Sequence, residues 1–212
     1  MKFQNIHVII NPASGTEEPI IHYLHRAFLN TGIDWNATII TKQHDINSTI
    51  NSLIGNVDLI AVYGGDGTVV QVAQALIGKD MPMAIIPGGT ANVMAKELGI
   101  PTDSVAAIEL LKNENATIKK IDTGCMNGEP FLIRINFGIM ADMVSHADRG
   151  LKDSFGQLAY GISALETLSN AKPILYKMKI DGVEIEQEGV SLTVTNSGRI
   201  GIAGFSFLPD IS

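Results

Sequence analysis

The stretch Asp58-Leu59-Ile60-Ala61-Val62-Tyr63-Gly64-Gly65-Asp66-Gly67-Thr68-Val69-Val70-Gln71-Val72-Ala73-Gln74-Ala75-Leu76 decides the fold of this 212-residue chain. Its first part is a short apolar run, the mark of a strand buried on both faces in a parallel sheet. Its last part sets Val69, Val72, Ala73 and Leu76 at helical spacing. Three glycines and one aspartate separate the two. A strand, a glycine-rich turn and a helix in that order aim free backbone N–H groups and a helix N-terminus at one point, where anions collect.

The flanking sequence repeats this grammar. Ile6 to Ile10 reads as a strand, broken by Asn11-Pro12-Ala13-Ser14-Gly15. Pro19 and the spacing of Ile20, Leu24, Ala27 and Phe28 predict a helix that stops at Gly32. A strand from Asp34 to Thr41 and a helix from Asp45 to Leu53 come next. Beyond the central unit, Met83 to Ile86 is a fourth strand, ending in Pro87-Gly88-Gly89-Thr90. Helices follow from Ala91 to Leu98, and from an Asp103 cap to about Lys112. Strands this apolar, alternating with helices, predict an α/β domain with a parallel sheet over residues 1–115.

From residue 116 to 212 the pattern changes. Thr117 to Cys125, Pro130 to Ile139, Leu175 to Ile180 and Val190 to Thr195 read as strands, with Asn127-Gly128, Asp181-Gly182 and Asn196-Ser197-Gly198 as turns. One helix is predicted from Phe155 to Leu168. The expectation is a second, mainly antiparallel β domain.

Composition narrows the function classes. Hydrophobic residues make up 45% of the chain and charged residues 17%, which excludes a disordered chain. A net charge of −7 speaks against a nucleic-acid partner, which calls for a basic face. The single cysteine, Cys125, allows no intramolecular disulfide and suits a reducing cytoplasm; it is expected to be buried and inert. No run approaches the roughly 20 apolar residues of a membrane span, so any membrane contact is expected to be peripheral. His22 and His25 lie three apart on one helix; with no third ligand near in the sequence, they read as solvent-facing side chains in preference to a metal pair. Met81, Met83, Met94, Met140 and Met143 read as core filler in preference to the lining of a lipid groove.

Three predicted strands thus end in turns of small residues: Asn11 to Gly15, including Ser14, then Gly64 to Thr68, then Pro87 to Thr90. Parallel strands place such ends on one edge, so the three turns can converge; a phosphate site is the favoured reading, and ordinary tight-turn connections are the other. The lysine of a P-loop and the spacing of a dinucleotide fingerprint are both missing. Asp66 inside such a turn has two readings on the residues alone. It caps the next helix, or it works through a cation or as a proton acceptor, since a bare carboxylate repels phosphate.

Gly64-Gly65-Asp66-Gly67-Thr68, with Asn11-Pro12-Ala13-Ser14-Gly15 before it and Pro87-Gly88-Gly89-Thr90-Ala91-Asn92 after it, resembles the diacylglycerol kinase catalytic family, which includes bacterial lipid kinases and sphingosine kinases. The likeness continues through Asn136-Phe137-Gly138, Leu151 to Tyr160 and Gly204 to Asp210. It implies transfer of the ATP γ-phosphate to a lipid hydroxyl, diacylglycerol-like or sphingoid, at the inner face of the cytoplasmic membrane. The likeness places Asn11, Ser14, Gly15, Thr41, Gly64, Gly65, Asp66, Gly67, Thr68, Thr90 and Asn92 at ATP, and Asp66 beside Mg²⁺ as the catalytic acid. Arg149 and Lys152 fall where the family carries basic residues; solvated surface charge is their other reading. Self-association as a homodimer is left open.

Three departures accompany the likeness. Gln71 stands where the family commonly has Glu, and Val93 where it often has Asp. The family also continues beyond the position of Ser212 with further strands and acidic segments, so the second domain is expected to be incomplete. Two alternatives follow: a non-catalytic ATP-binding remnant, and a kinase of a soluble substrate related to NAD kinases.

Overall fold

The computed structural model describes residues 3–14, 17–113, 116–139 and 172–196. The N-terminal part alternates β1 (Asn5–Ile10), α1 (Ile20–Phe28), β2 (Asp34–Ile39), α2 (Ile46–Leu53), β3 (Leu59–Gly64), α3 (Asp66–Leu76), β4 (Met83–Pro87), α4 (Val93–Glu97) and α5 (Ser104–Leu110). The strands form one parallel sheet in the order β2-β1-β3-β4, with Val8 opposite both Ala37 and Ala61. All six residues of β3 are buried, which is why its sequence shows no alternation. At the edge, β2 keeps Asp34, Asn36, Ala37 and Ile39 exposed.

Each face of the sheet carries its own core. Ile6, Val8 and Ile10 of β1 point, with Ala61 and Tyr63, toward Ile20, Leu24 and Phe28 of α1 and Ala107 and Ile108 of α5. Ile9, Ile60, Val62 and Ile85 point the other way, toward Ile50 of α2, Val69, Val72 and Leu76 of α3, and Met94 of α4. Fully burying one such aliphatic side chain contributes about 1.5–3 kcal/mol, so these two layers dominate the stability of the unit. Met81 and Met83 pack against the second core and Met94 lies within it, as filler; Met140 and Met143 lie outside the described residues. The helix starts follow local chemistry. Asp45 accepts from the Ser48 N–H at 3.2 Å and Asp103 from the Ala106 N–H at 2.8 Å.

The described residues fall into two units, one running to Ile133 and including Asn196, the other Arg134–Thr195. The first unit also holds a small ribbon of β5 (Gly124–Met126) and β6 (Glu129–Phe131), turning at Asn127-Gly128 with φ of 53° and 87°. Positive φ at both turn residues is what an Asn-Gly hairpin provides. The Gln74 amide of α3 donates to the Pro130 carbonyl at 2.6 Å and fastens this ribbon. The second unit contains β7 (Arg134–Gly138) paired antiparallel with β10 (Ser191–Thr195), and the antiparallel hairpin of β8 (Ile174–Ile180) and β9 (Val183–Gly189). The chain is therefore an α/β fold with a parallel sheet, followed by antiparallel β elements.

Four expectations need correction. Residues Thr117 to Thr123 are not strand; Ile118 and Ile121 are exposed there, and pairing begins only at Gly124. Pro130 to Ile139 is two strands, because Leu132 turns into the α3-side core (3% exposed) and the Ile133 carbonyl accepts the Asn196 N–H. The strand β9 was not foreseen. Cys125 is exposed, since β5 has only the three-residue β6 beside it. The helix expected over Phe155 to Leu168 lies outside the described residues.

Candidate functional site

The sheet topology defines where a ligand site belongs. From β1 the chain moves through α1 to β2 on one side, then returns past β1 to β3 on the other. Helix α1 covers one face while α2 and α3 cover the opposite face. The winding direction thus reverses between β1 and β3, and open α/β sheets bind ligands beyond the carboxyl ends of the strands at such a switch point. The turn after β1 begins with Asn11, and the turn after β3 is Gly65-Asp66.

Hydrogen bonds tie these turns to each other. The Asn11 N–H donates to the Tyr63 carbonyl at 3.0 Å. Its side-chain amide donates to Thr68 Oγ1 at 2.7 Å, and its Oδ1 accepts from the Ala13 N–H at 3.0 Å. The Ser14 N–H donates to the Asn11 carbonyl and closes a turn. On the other side, the Gly88 N–H donates to the Gly64 carbonyl at 2.9 Å. Gly65 and Gly89 then approach backbone to backbone: a Cβ built on Gly89 would lie 2.6 Å from the Gly65 Cα. Only glycine fits there. The three turns converge, as expected from the strand ends.

Helix α3 starts at this junction with Gly65 as its N-cap. An α-helix supplies no carbonyl for its first N–H groups, here those of Asp66 and Gly67. Asp66 does not cap its own helix. Its Oδ1 accepts from the Met94 N–H in the first turn of α4, at 3.3 Å. The carboxylate is half-buried between two helix starts and keeps a second oxygen for other partners.

The remaining expected site residues are placed as follows. Asn92 sits in the left-handed region (φ 48°), and its amide clasps Gly89, accepting from its N–H at 3.0 Å and donating to its carbonyl at 2.7 Å. Its polar atoms thus shape the turn after β4. Thr90 is exposed on that turn, and Thr41 is exposed just beyond β2, on the same edge of the sheet. Gly15, Arg149 and Lys152 lie outside the described residues.

Two residues at this end were missed by sequence reasoning. Glu18 Oε2 accepts from Ser104 Oγ at 2.5 Å and from the Tyr63 hydroxyl at 3.4 Å. Ser104, 2% exposed, also lies 3.0 Å from the Pro87 carbonyl. The one signal in the sequence is an acid directly ahead of α1 that does not serve as its cap, Pro19 taking that place.

Among the described residues no group of three His, Cys, Asp or Glu is arranged to hold a metal, and His22 and His25 gain no third ligand. Mg²⁺ is a hard cation usually held by one or two carboxylates together with substrate phosphates and water, and the carboxylate at this junction is Asp66. Asp66 has the right chemistry. No helix among the described residues is long and apolar enough to cross a membrane.

An open parallel α/β sheet with turns of small residues meeting at its switch point places the N-terminal part in the doubly wound class. The comparisons narrow the class. A family model described as diacylglycerol kinase catalytic domain matches residues 5–126, and one described as YegS C-terminal NAD kinase beta sandwich-like domain matches residues 134–212. A diacylglycerol kinase of Bacillus subtilis is 30% identical over 213 residues, covering 97% of this chain and 69% of its own length. An uncharacterized Synechocystis protein is 29% identical over 206 residues, covering 90% of this chain but 47% of its own length. A crystal structure of a diacylglycerol kinase from Bacillus anthracis superposes with a TM-score of 0.71 at 28% identity, covering 95% of this chain and 67% of that one. The chain belongs to the diacylglycerol kinase catalytic domain family, a family of kinases. It spans about half the length of the first curated relatives it matches.

Proposed function

We propose that this protein is an ATP- and Mg²⁺-dependent kinase that phosphorylates a lipid hydroxyl, diacylglycerol-like or sphingoid, while docked peripherally on the cytoplasmic face of the membrane. The observation that carries the reading is the meeting of the β1, β3 and β4 turns at the switch point, with the N-terminus of α3 and the Asp66 carboxylate at the same junction. Phosphoryl transfer asks little covalent chemistry of a protein; positioning and charge neutralisation suffice. Asn11, Ser14, Gly15, Thr41, Gly64, Gly65, Gly67, Thr68, Thr90 and Asn92 form or shape the ATP site in this reading. Arg149 and Lys152 supply cations to the phosphates. Asp66 is the catalytic carboxylate of this reading; it would hold Mg²⁺, which would supply positive charge to offset that of the phosphates. The acceptor oxygen bonds to the γ-phosphorus as the bond to the β-phosphate oxygen breaks, ADP leaves, and the hydroxyl proton passes to a base.

Radiolabelled ATP incubated with mixed-lipid vesicles should yield a labelled lipid, and Asp66→Ala should abolish the product. Equal labelling by the variant would remove Asp66 from the chemistry. A second reading, transfer to a soluble acceptor, draws support from the NAD kinase-like description of the family model matching residues 134–212. Labelled NADP formed from NAD, without any need for vesicles, would select it. A third, ATP binding without turnover, draws on Gln71. Nucleotide binding with no labelled product from either acceptor would select that.

A further inference from the structure

We infer that Glu18 is a positioning residue for the nucleotide phosphates, acting from beneath the glycine turns and not by touching the ligand; the inference rests on the ATP-site reading above. The turns are braced on the α3 side of the sheet by Asn11 with Thr68 and by Asp66 with Met94. On the α1 and α5 side the corresponding brace is Glu18. Its carboxylate lies 2.5 Å from Ser104 Oγ, within the short range typical of a hydroxyl donating to a charged acceptor. A hydroxyl has one proton, which Ser104 shares between the Glu18 carboxylate and the Pro87 carbonyl, 3.0 Å away. Ser104 is thereby fixed directly under the residue that opens the β4 turn.

The same carboxylate reaches Tyr63, and this contact bears on the other turns. A Cβ on Gly88 would lie 2.9 Å from the Tyr63 ring, so that ring forms the floor on which Gly88 rests. The Tyr63 backbone carbonyl meanwhile accepts the Asn11 N–H. One carboxylate is therefore tied to the end of β4 through Ser104 and, through the Tyr63 hydroxyl, to the ring beneath Gly88. An acid this close to a phosphate site would weaken anion binding if it faced the ligand. Its two hydroxyl partners orient it into the protein instead.

The inference is tested by titrating the protein with Mg²⁺-ATP in a calorimeter and by following ATP-dependent turnover, for wild type, Glu18→Ala, Glu18→Gln and Ser104→Ala. Glu18→Ala should weaken ATP binding by about three- to tenfold, the scale of one lost hydrogen bond, and raise the KM for ATP with kcat little changed. Glu18→Gln keeps an acceptor oxygen for Ser104 and should restore near-wild-type affinity, while Ser104→Ala should reproduce the defect. Unchanged affinity in Glu18→Ala and Ser104→Ala would overturn the inference, as would tighter binding, which would make Glu18 a repelling charge at the ligand. A fall in melting temperature with unchanged affinity would leave Glu18 purely structural and overturn it too. Failure of wild type to bind ATP would instead overturn the ATP-site reading, and this inference with it.

Discussion

Asn11 Nδ2 donates to Thr68 Oγ1 at 2.7 Å across 57 residues of sequence, joining the end of β1 to the first turn of α3. The bond spans the point where the winding of the sheet reverses. Thr68 is 5% exposed, so its hydroxyl has little access to water if the partner is lost. Asn11→Ala should lower unfolding stability by about 1–2 kcal/mol, the cost of stranding a buried polar group. Urea melts of the two proteins measure it, and a change within 0.3 kcal/mol or so would show that the turns hold together without this bond.

Two glycines in the same turns should respond in opposite directions. Gly67, the second residue of α3, has open space where a Cβ would go. Gly67→Ala should therefore stabilise the fold, by up to about 0.5–1 kcal/mol, by removing backbone freedom from the helix. If Gly67 is there to let ATP approach the backbone, the same variant binds ATP poorly. Gly89→Ala must push Gly65 away and should lose both stability and ATP affinity. Thermal melts with and without Mg²⁺-ATP separate the two behaviours.

The α/β part was legible because each strand ends in a break that the chain cannot hide. β3 needs an unbroken apolar run, and α2 and α5 announce themselves with Asp45 and Asp103 as caps. The β part was less legible because several of its strands are either only three residues long, as β5 and β6, or largely exposed, as β8 and β9. Val183–Gly189 carries Glu184, Glu186 and Glu188 and is exposed over nearly its whole length, so its pairing with β8 left little apolar signal. Thr117 to Thr123 shows the reverse: its threonines with Ile118 and Ile121 carry strand propensity, yet both isoleucines are exposed and no strand pairs there among the described residues. At the site, residue types and turns were readable, but the Asp66–Met94 and Glu18–Ser104 contacts join residues 28 and 86 positions apart. No local pattern encodes such pairs.

Two groups at the sheet should shape the acid limb of stability. His7 is half-buried on β1, with Nε2 2.9 Å from Thr38 Oγ1, and burial holds its pKa below the usual 6.5. The unfolded chain then takes up the proton first, so stability falls as pH drops through 6.5 and levels off below the folded value. His7→Gln should flatten that part of the profile. Asp58 lies at the opposite end of the strands from the glycine turns, and its Oδ2 accepts the N–H groups of Gln4 and Asn5 at 2.9 Å each, which keeps its pKa under the usual 3.8. Its contribution is complete above 3.8 and disappears only as pH falls through the lower folded value. Asp58→Asn should flatten the profile there alone. Urea midpoints measured from pH 7 to pH 3 would show both changes, and parallel profiles for the variants and wild type would refute the assignments.

Asp66 serves a structural partner and a proposed ligand at once, and two substitutions separate them. Asp66→Ala removes the acceptor for the Met94 N–H and should cost about 1 kcal/mol, the value of a lost helix cap. Asp66→Asn retains an oxygen in that position, so its melting temperature should stay close to wild type. It removes the charge, however, and with it the means of holding Mg²⁺ beside ATP phosphates. The expected result is a folded Asp66→Asn protein whose ATP affinity no longer rises on adding Mg²⁺ and which transfers no phosphate. Should Asp66→Asn keep the Mg²⁺ dependence of wild type, the carboxylate is a cap for α4 and the metal-linked acid must be sought elsewhere in the chain.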